Sequence, residues 1–293
     1  MDQELRDVPT STPSPIPSTP TPLPTNAPLT KASMAFCPVS LPNLNISPDD
    51  YYISTIIGFG NPDDTLFTQV WPGGKAIFSP NGPGEKKRDG SLAMKWVWYR
   101  TLPGDVVIGG RRLDAPGLPM PDQVLRGIED GYGETGFHPS TLVFPGEGCW
   151  EVTARVGEAS LTFVTLVVKI SFDPMLLRWV PEGLVDEGPD LSDLPQTIRF
   201  VLRSPDGDEA RLIVETSQGV RDDPTGYRKA SKQEVTVQGQ AGMCIQGVLD
   251  DPGHGQSEAE VGALVWSADG LSYRISSINL GLTCEDLLRV MGQ

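Results

Sequence analysis

The sequence predicts a mainly β protein: an N-terminal antiparallel immunoglobulin-like sandwich, then a small α+β domain with an antiparallel sheet and a C-terminal helix. Short apolar runs recur about every ten residues. Glycine and proline, which number 32 and 28 in the chain, separate many of these runs. Helical periodicity is confined to the last segment, residues 283–292. Repeated short strands with frequent turns are typical of sandwiches.

The first 35 residues are predicted to form a disordered stalk. Residues 9–28 read PTSTPSPIPSTPTPLPTNAP, a run built almost only from proline, threonine and serine. Such a segment cannot bury apolar surface, and its prolines donate no backbone hydrogen bonds, so an extended chain with polyproline II character is expected. The rest of the 293 residues leaves room for two domains, which we place at residues 36–172 and 173–293.

The sandwich domain begins with two alternating segments. Residues 66–71 and 75–78 flank a Pro-Gly-Gly turn and predict a hairpin. Residues 91–100 alternate along a single strand. One face of that strand carries Leu92, Met94, Trp96 and Trp98.

The remaining strands of the sandwich are interrupted by a long connection. Residues 105–113 predict a strand broken at a Gly-Gly pair, and the Gly- and Pro-rich residues 114–140 predict an irregular excursion. Closing strands are expected at residues 142–144, 149–156 and 161–170. Within the second of these, one face carries Trp150, Val152, Ala154 and Val156, while Cys149 points the opposite way.

The second domain is predicted to contain three hairpins and a helix. The strand pairs are 198–203 with 210–215, 234–238 with 243–249, and 263–266 with 271–275. In the last pair, one face of the sheet holds Leu264, Trp266, Leu271, Tyr273 and Ile275. For the helix, Thr283 is the expected N-cap with Asp286 three residues on. An apolar stripe of Leu287, Leu288 and Met291 follows, and Gly292 ends the helix.

Four cysteines allow three disulfide pairings. Cys37 and Cys149 bracket the first domain, and Cys244 and Cys284 lie in the second, so one bridge per domain is favoured. The chain-entropy model gives about 4–5 and about 4 kcal/mol for the two bridges. The alternative is four reduced cysteines in a cytosolic protein. With no CxxC motif and two histidines, a zinc site is poorly supported, and we expect no metal or other cofactor.

The charge balance excludes some partners. The chain has 38 acidic and 23 basic residues, a formal net charge of -15, which repels phosphate backbones and anionic lipids. We therefore expect no nucleic-acid partner, and we interpret the basic triplet at residues 86–88 as a solvated turn. No apolar run approaches the roughly 18 residues of a membrane span. The start MDQELRDVP is not a signal peptide.

The stalk suggests how the protein is held in place. We expect a mature form in which Met1 stands where a bacterial lipoprotein has its lipidated cysteine, so that membrane contact is made only through an N-terminal lipid anchor. The alternative is a cytosolic protein with a disordered tail.

Short motifs in the second domain resemble a known bacterial family. WVPEGL at residues 179–184, LVWSADGLSYRI at 264–275 and EDLL at 285–288 are similar to the bacterial domain of unknown function 4367. The resemblance covers about 110–120 residues and implies an extracytoplasmic sensing or binding domain, as in envelope lipoproteins and anti-sigma-like membrane proteins. It implies no catalytic residues.

The first domain resembles an uncharacterised β domain of secreted bacterial proteins. The motifs are GSLAMK at residues 90–95, GRRLDAP at 110–116, DGYGETGF at 130–137 and GCWEVT at 148–153. This resemblance implies location and fold, not activity.

The candidate binding residues lie in and just before the irregular excursion. They are Arg111, Arg112, Asp114, Asp130, Tyr132, Glu134 and His138. Loops over a rigid sandwich often carry binding residues, and two carboxylates with a histidine and a tyrosine can bind a cation or serve a hydrolase. The alternative is a structural loop shaped by its glycines, with arginines paired to its acids. No nucleophile elbow, phosphate loop or metalloprotease motif accompanies the set.

These observations favour an extracytoplasmic bacterial envelope protein, lipid-tethered or secreted, that binds or senses an envelope protein or ligand without catalysis. The alternative is an envelope hydrolase that uses the loop from Asp130 to His138, and a third possibility is a passive spacer. The surroundings of His138 distinguish the first two, because a catalytic histidine needs a concave site and a carboxylate or nucleophile within hydrogen-bond reach.

Overall fold

A computed structural model describes residues 27–43, 58–205, 210–219, 227–249 and 259–292. Most of the predicted stalk, residues 1–26, lies outside these ranges. The end of that segment contains a feature that was not predicted: a short helix, α1 (Lys31–Phe36), begins after Thr30, whose side chain accepts a hydrogen bond from the Ser33 N–H. Within the described ranges, no helix is long and apolar enough to cross a membrane.

The fold is mainly β, with antiparallel sheets and a C-terminal helix, as predicted. The strands of the first half are β1 (Gly58–Gly60), β2 (Leu66–Gln69), β3 (Lys75–Phe78), β4 (Gly84–Lys86), β5 (Leu92–Arg100), β6 (Val106–Arg112), β7 (Met120–Leu125), β8 (Gly136–Phe144), β9 (Gly148–Val156) and β10 (Ala159–Lys169). The second half comprises β11 (Val185–Asp190), β12 (Thr197–Arg203), β13 (Arg211–Gln218), β14 (Tyr227–Val237), β15 (Gln240–Leu249), β16 (Ala259–Ala268), β17 (Leu271–Ile278) and helix α2 (Cys284–Val290).

The strands form three sheets. In sheet I, β8 pairs along the whole of β5, while β2 and β4 pair with opposite ends of β5 and β1 pairs with β2. Sheet II has the order β3-β10-β9-β6-β7, in which only β3 and β10 are parallel. Sheet III is an antiparallel sheet of order β11-β12-β13-β17-β16-β15-β14.

The inner faces of sheets I and II form one apolar core. The predicted inward residues of β5 and β9 are all buried, from Leu92 to Trp98 and from Trp150 to Val156. Trp96 stacks on Phe163 of the opposing sheet, with ring centroids 5.5 Å apart. Burying each such aromatic or aliphatic side chain contributes roughly 1.5–3 kcal/mol.

The predicted hairpin of residues 66–71 and 75–78 is wrong. β2 lies in sheet I, whereas β3 lies in sheet II and runs parallel to β10. Pro72–Gly74 forms a short 3-10 turn that carries the chain from one sheet to the other. Inward residues of both strands enter the same core, so alternation alone does not distinguish a hairpin from this crossing.

The predicted irregular excursion at residues 114–140 is also wrong in part, because it contains β7 and the start of β8. Both strands carry prolines, Pro121 and Pro139, which argue against a central strand. They are tolerated because β7 is the edge of sheet II and β8 pairs with β5 alone in sheet I. A proline at a sheet edge removes no ladder hydrogen bond.

Sheet III contains the three predicted hairpins. The turns Gln238-Gly239 and Asp269-Gly270 have positive φ at both residues, as in the type I′ turns that match strand twist. Trp266 lies opposite Tyr273, and their rings stack 5.2 Å apart. The predicted cross-strand face is therefore confirmed.

Helix α2 packs on sheet III as the capping pattern predicts. Thr283 and Asp286 form a reciprocal capping box. Leu287 and Met291 are buried against the sheet, and Gly292 has the positive φ of a helix stop.

Both disulfides have the predicted pairing. Cys37 bonds Cys149 across 112 residues, and Cys244 bonds Cys284 across 40 residues. The first ties the segment after α1 to β9, and the second ties α2 to β15. Structural disulfides persist in oxidising compartments, so the pair of bridges suggests an extracytoplasmic location.

A second apolar cluster joins the outer face of sheet II to sheet III. Leu166 and Val168 of β10 are buried in it together with Leu191, Leu194 and Ile198. The sandwich and the C-terminal sheet therefore share an apolar contact.

Replacing Cys244 and Cys284 by serine is expected to lower the free energy of unfolding by about 4 kcal/mol, because the bridge restricts a long loop of the unfolded chain. The matched double serine variant at Cys37 and Cys149 is expected to lose about 4–5 kcal/mol. Denaturant unfolding followed by tryptophan fluorescence measures both changes. Variants as stable as the wild type would contradict this role of the bridges.

Candidate functional site

The candidate site lies at one end of the sandwich, where two polar side chains face inward. Arg100 ends β5 and His138 lies on the adjacent strand β8. Both occupy positions of their strands whose side chains point into the sandwich, and each residue is only 2 % exposed. A buried guanidinium needs hydrogen-bond acceptors around it, and the loop of residues 126–135 supplies them.

The side chain of Arg100 holds this loop by hydrogen bonds to the backbone of the loop. Its Nε donates to the carbonyl oxygen of Glu134 at 3.0 Å, and its Nη2 donates to that of Gly133 at 2.9 Å. Its Nη1 lies 3.4 Å from Nδ1 of His138. The guanidinium therefore connects β5, the loop and β8.

His138 is enclosed by three neighbours. Its Nε2 lies 3.4 Å from Oδ2 of Asp130, and the ring of Tyr132 lies over it with centroids 4.5 Å apart. Because Arg100 can only donate, Nδ1 must accept, which fits a neutral ring with its hydrogen on Nε2. Burial lowers the pKa of His138, Arg100 lowers it further, and Asp130 opposes the shift.

The loop is also held by its own hydrogen bonds. The N–H of Arg126 donates to Oδ2 of Asp130 at 2.7 Å, and the N–H of Tyr132 donates to the carbonyl of Gly127 at 2.8 Å. Gly127 has φ +49°, and a Cβ there would lie 2.5 Å from Nη2 of Arg100. Glycine at this position lets the loop approach the guanidinium closely.

The candidate residues predicted from the sequence therefore do not form one cluster. Asp130, Tyr132 and His138 meet, and Glu134 takes part through its backbone carbonyl. Arg111, Arg112 and Asp114 lie in and after β6 of sheet II. No hydrogen bond or ion pair between described residues joins these two groups.

Arg112 and Asp114 form a buried clamp beside the first disulfide. Nε and Nη2 of Arg112 each donate to Asp114 at 2.9 Å. Oδ1 of Asp114 also accepts from the N–H of Cys149, and Nη1 of Arg112 donates to the carbonyl of Ala27. Burial would raise the pKa of Asp114, but these donors outweigh it and lower the pKa. The pair is structural and fixes the N-terminal segment to the sandwich.

Arg111 has a different environment. Its Nε donates to Glu151 of the neighbouring strand at 2.6 Å, and its side chain is 70 % exposed, against 1 % for Arg112. Exposed pairs of this kind contribute about 0–1 kcal/mol. Neighbouring residues on a strand point to opposite faces, which separates the two arginines.

A row of aromatic residues that was not predicted from the sequence lies on the outer face of sheet I. Phe67 lies opposite Tyr99, and Tyr99 lies opposite Phe137, on three adjacent strands. The rings of Phe67 and Tyr99 are 6.0 Å apart, and Tyr132 of the loop adds a ring 6.5 Å from Phe137. The outward positions of β2, β5 and β8 carried this signal, but only the strand pairing aligns them.

A groove of about 880 Å³ lies against sheet III. Trp266, Tyr273 and Met243 contribute to its lining together with Glu215 and Arg274. Nε of Arg199 donates to Glu215 at 2.6 Å. The groove thus presents both aromatic and charged side chains to solvent.

Within the described ranges, no group of three or more His, Cys, Asp or Glu side chains could hold a metal ion. Comparison of the chain with protein-family models and with curated proteins finds no match. The two family resemblances of the sequence motifs therefore stay predictions.

The stability of the protein is expected to fall as the pH drops below about 6.5, the ordinary histidine pKa. Because the pKa of folded His138 is lower, the unfolded chain binds more protons between the two pKa values. The stability that the neutral ring contributes is thus fully present above about pH 6.5, and it is lost as the pH falls toward the lower pKa of His138 in the folded protein. Melting temperatures from about pH 7.5 to about pH 5.5 measure this fall.

The variant His138→Gln is expected to show a smaller fall over the same pH range. The matched control is His254→Gln at the second histidine of the chain, and a difference between the two variants assigns the pH dependence to His138. Equal pH dependence of wild type and His138→Gln would contradict the assignment.

Proposed function

We propose that this chain is an extracytoplasmic, non-catalytic binding or sensing module of the bacterial cell envelope. The two disulfides support an oxidising compartment. The Pro-, Ser- and Thr-rich composition of residues 9–28 supports a tether that holds the folded part away from a membrane anchor. The motif resemblances point to the same location.

The enclosure of His138 is the observation that favours binding over catalysis. A general base must reach the proton that it removes from a substrate. Here Arg100 and Asp130 contact the two ring nitrogens, and Tyr132 covers the ring. The histidine therefore acts on its own loop, which it holds against the sandwich.

Envelope hydrolysis is the second candidate, and one contact favours it. Nε2 of His138 lies 3.4 Å from Oδ2 of Asp130, which is a little longer than the roughly 2.6–3.2 Å that joins a base to the carboxylate that orients it. The nitrogen that would then act as the base is Nδ1, however, and it faces the guanidinium of Arg100 instead of an open site.

Isolated bacterial envelope fragments test the two candidates together. We expect wild-type protein to sediment with the fragments and to release no soluble fragments above a protein-free control. His138→Gln is expected to release no fragments either, since the wild-type protein has no such activity to lose. His254→Gln is the matched control.

Two results would contradict the proposal. Release of fragments by wild type and His254→Gln but not by His138→Gln would establish the hydrolase. Failure of the wild-type protein to sediment with envelope fragments would remove the binding function.

A further inference from the structure

We infer that the aromatic row of sheet I, defined as Phe67, Tyr99, Phe137 and Tyr132, is a binding platform for a neutral saccharide chain. The inference rests on the proposed binding function and adds the ligand class. Sugar rings present flat C–H faces to aromatic rings and hydroxyl groups to polar neighbours. The face of the sheet that carries the row offers both aromatic rings and polar side chains.

The row is built by strand register. Phe67, Tyr99 and Phe137 lie directly opposite one another on β2, β5 and β8. All three point outward because the residues beside them, such as Leu66 and Trp98, are buried in the core. Directly opposed residues on a sheet have neighbouring Cβ atoms, so the register places the three rings side by side in one strip across the strands.

The exposed area of the strip suits a narrow ligand. Phe137 and Tyr132 are 42 % and 39 % exposed, and Phe67 and Tyr99 are half-buried. With about 200 Å² for each aromatic side chain, the four expose about 300 Å² at most. A stable protein interface buries about 800 Å² on each partner. The strip is therefore too small for a stable protein partner or a second copy of this chain.

Along β2, β5 and β8, the same-face positions next to the strip carry no charge, while the loop that carries Tyr132 adds the exposed acids Asp130 and Glu134. Thr65 and Thr101 lie beside it on one side, joined by a backbone hydrogen bond of 3.0 Å. Val97 and Pro139 lie opposite each other on the other side. An anionic ligand requires a positively charged partner, whereas Asp130, Glu134 and the chain as a whole are acidic. A neutral ligand with hydroxyl groups fits these surroundings best.

The fourth ring is held in place before any ligand binds. Tyr132 packs on His138 and on Phe137, and its N–H bonds to Gly127. Arg100 fixes the loop that carries it. Rings that are already ordered lose little entropy on binding. Arg100 and His138 are therefore positioning residues for the platform.

Binding of defined oligosaccharides tests the inference. The probes are neutral tetrasaccharides of β-1,4-linked glucose and of β-1,4-linked N-acetylglucosamine, with a tetragalacturonate as the anionic comparison. We expect the wild type to bind at least one neutral probe in saturation-transfer NMR and titration calorimetry, and to bind the anionic probe more weakly. Phe137→Ala and Tyr99→Ala are each expected to weaken binding about tenfold.

Two control variants separate loss of binding from loss of folding. Phe137→Trp should keep the binding, because it keeps a ring at the same position. Val124→Ala removes an exposed apolar side chain from the other sheet of the sandwich and should leave the affinity unchanged.

Unchanged affinity of Phe137→Ala and Tyr99→Ala would overturn the inference, and so would preference for the anionic probe. No binding to either neutral probe, by a wild-type protein that still sediments with envelope fragments, would overturn the saccharide assignment and leave the proposed function intact. Failure to sediment with the fragments, in contrast, would count against the proposed function itself.

Discussion

The buried guanidinium of Arg100 is the interaction on which the sandwich end depends. A charge in that position must be surrounded by acceptors, and the loop of residues 126–135 provides two carbonyl oxygens while His138 provides a ring nitrogen. The loop conformation follows from that requirement. It closes the core, encloses the histidine and places the ring of Tyr132 beside the outer face of sheet I. One buried cation thus links core packing to the proposed binding surface.

A second polar clamp acts at the N-terminal attachment. The buried pair of Arg112 and Asp114 bonds to the backbone of Ala27 and Cys149, next to the disulfide from Cys37. The covalent and polar links together hold residues 27–37, which include the end of the predicted stalk, against sheet II. In the proposed tethered arrangement, these links would fix the point from which the sandwich is displayed. The second disulfide does the equivalent for helix α2 and sheet III.

Local signals in the sequence were sufficient for much of the fold. Alternation identified the inward faces of β5 and β9, the capping box identified α2, and cysteine position identified the disulfides. The predictions that were wrong concerned non-local features. They are the crossing between β2 and β3, and the edge position of β7 that makes Pro121 acceptable there. The candidate site shows the same limit. Asp130 and His138 were expected together, whereas the inward charge of Arg100 and the aromatic row emerge only when strands are paired.

Hydrogen–deuterium exchange across residues 126–138 tests the central role of Arg100 most directly. In the wild type, the amide of Tyr132 should be protected by its bond to Gly127. In Arg100→Met, exchange should accelerate across the loop while β9 and β10 keep their protection, and the exposed-pair control Arg111→Met should match the wild type. Loop exchange in Arg100→Met that equals the wild type would contradict the account.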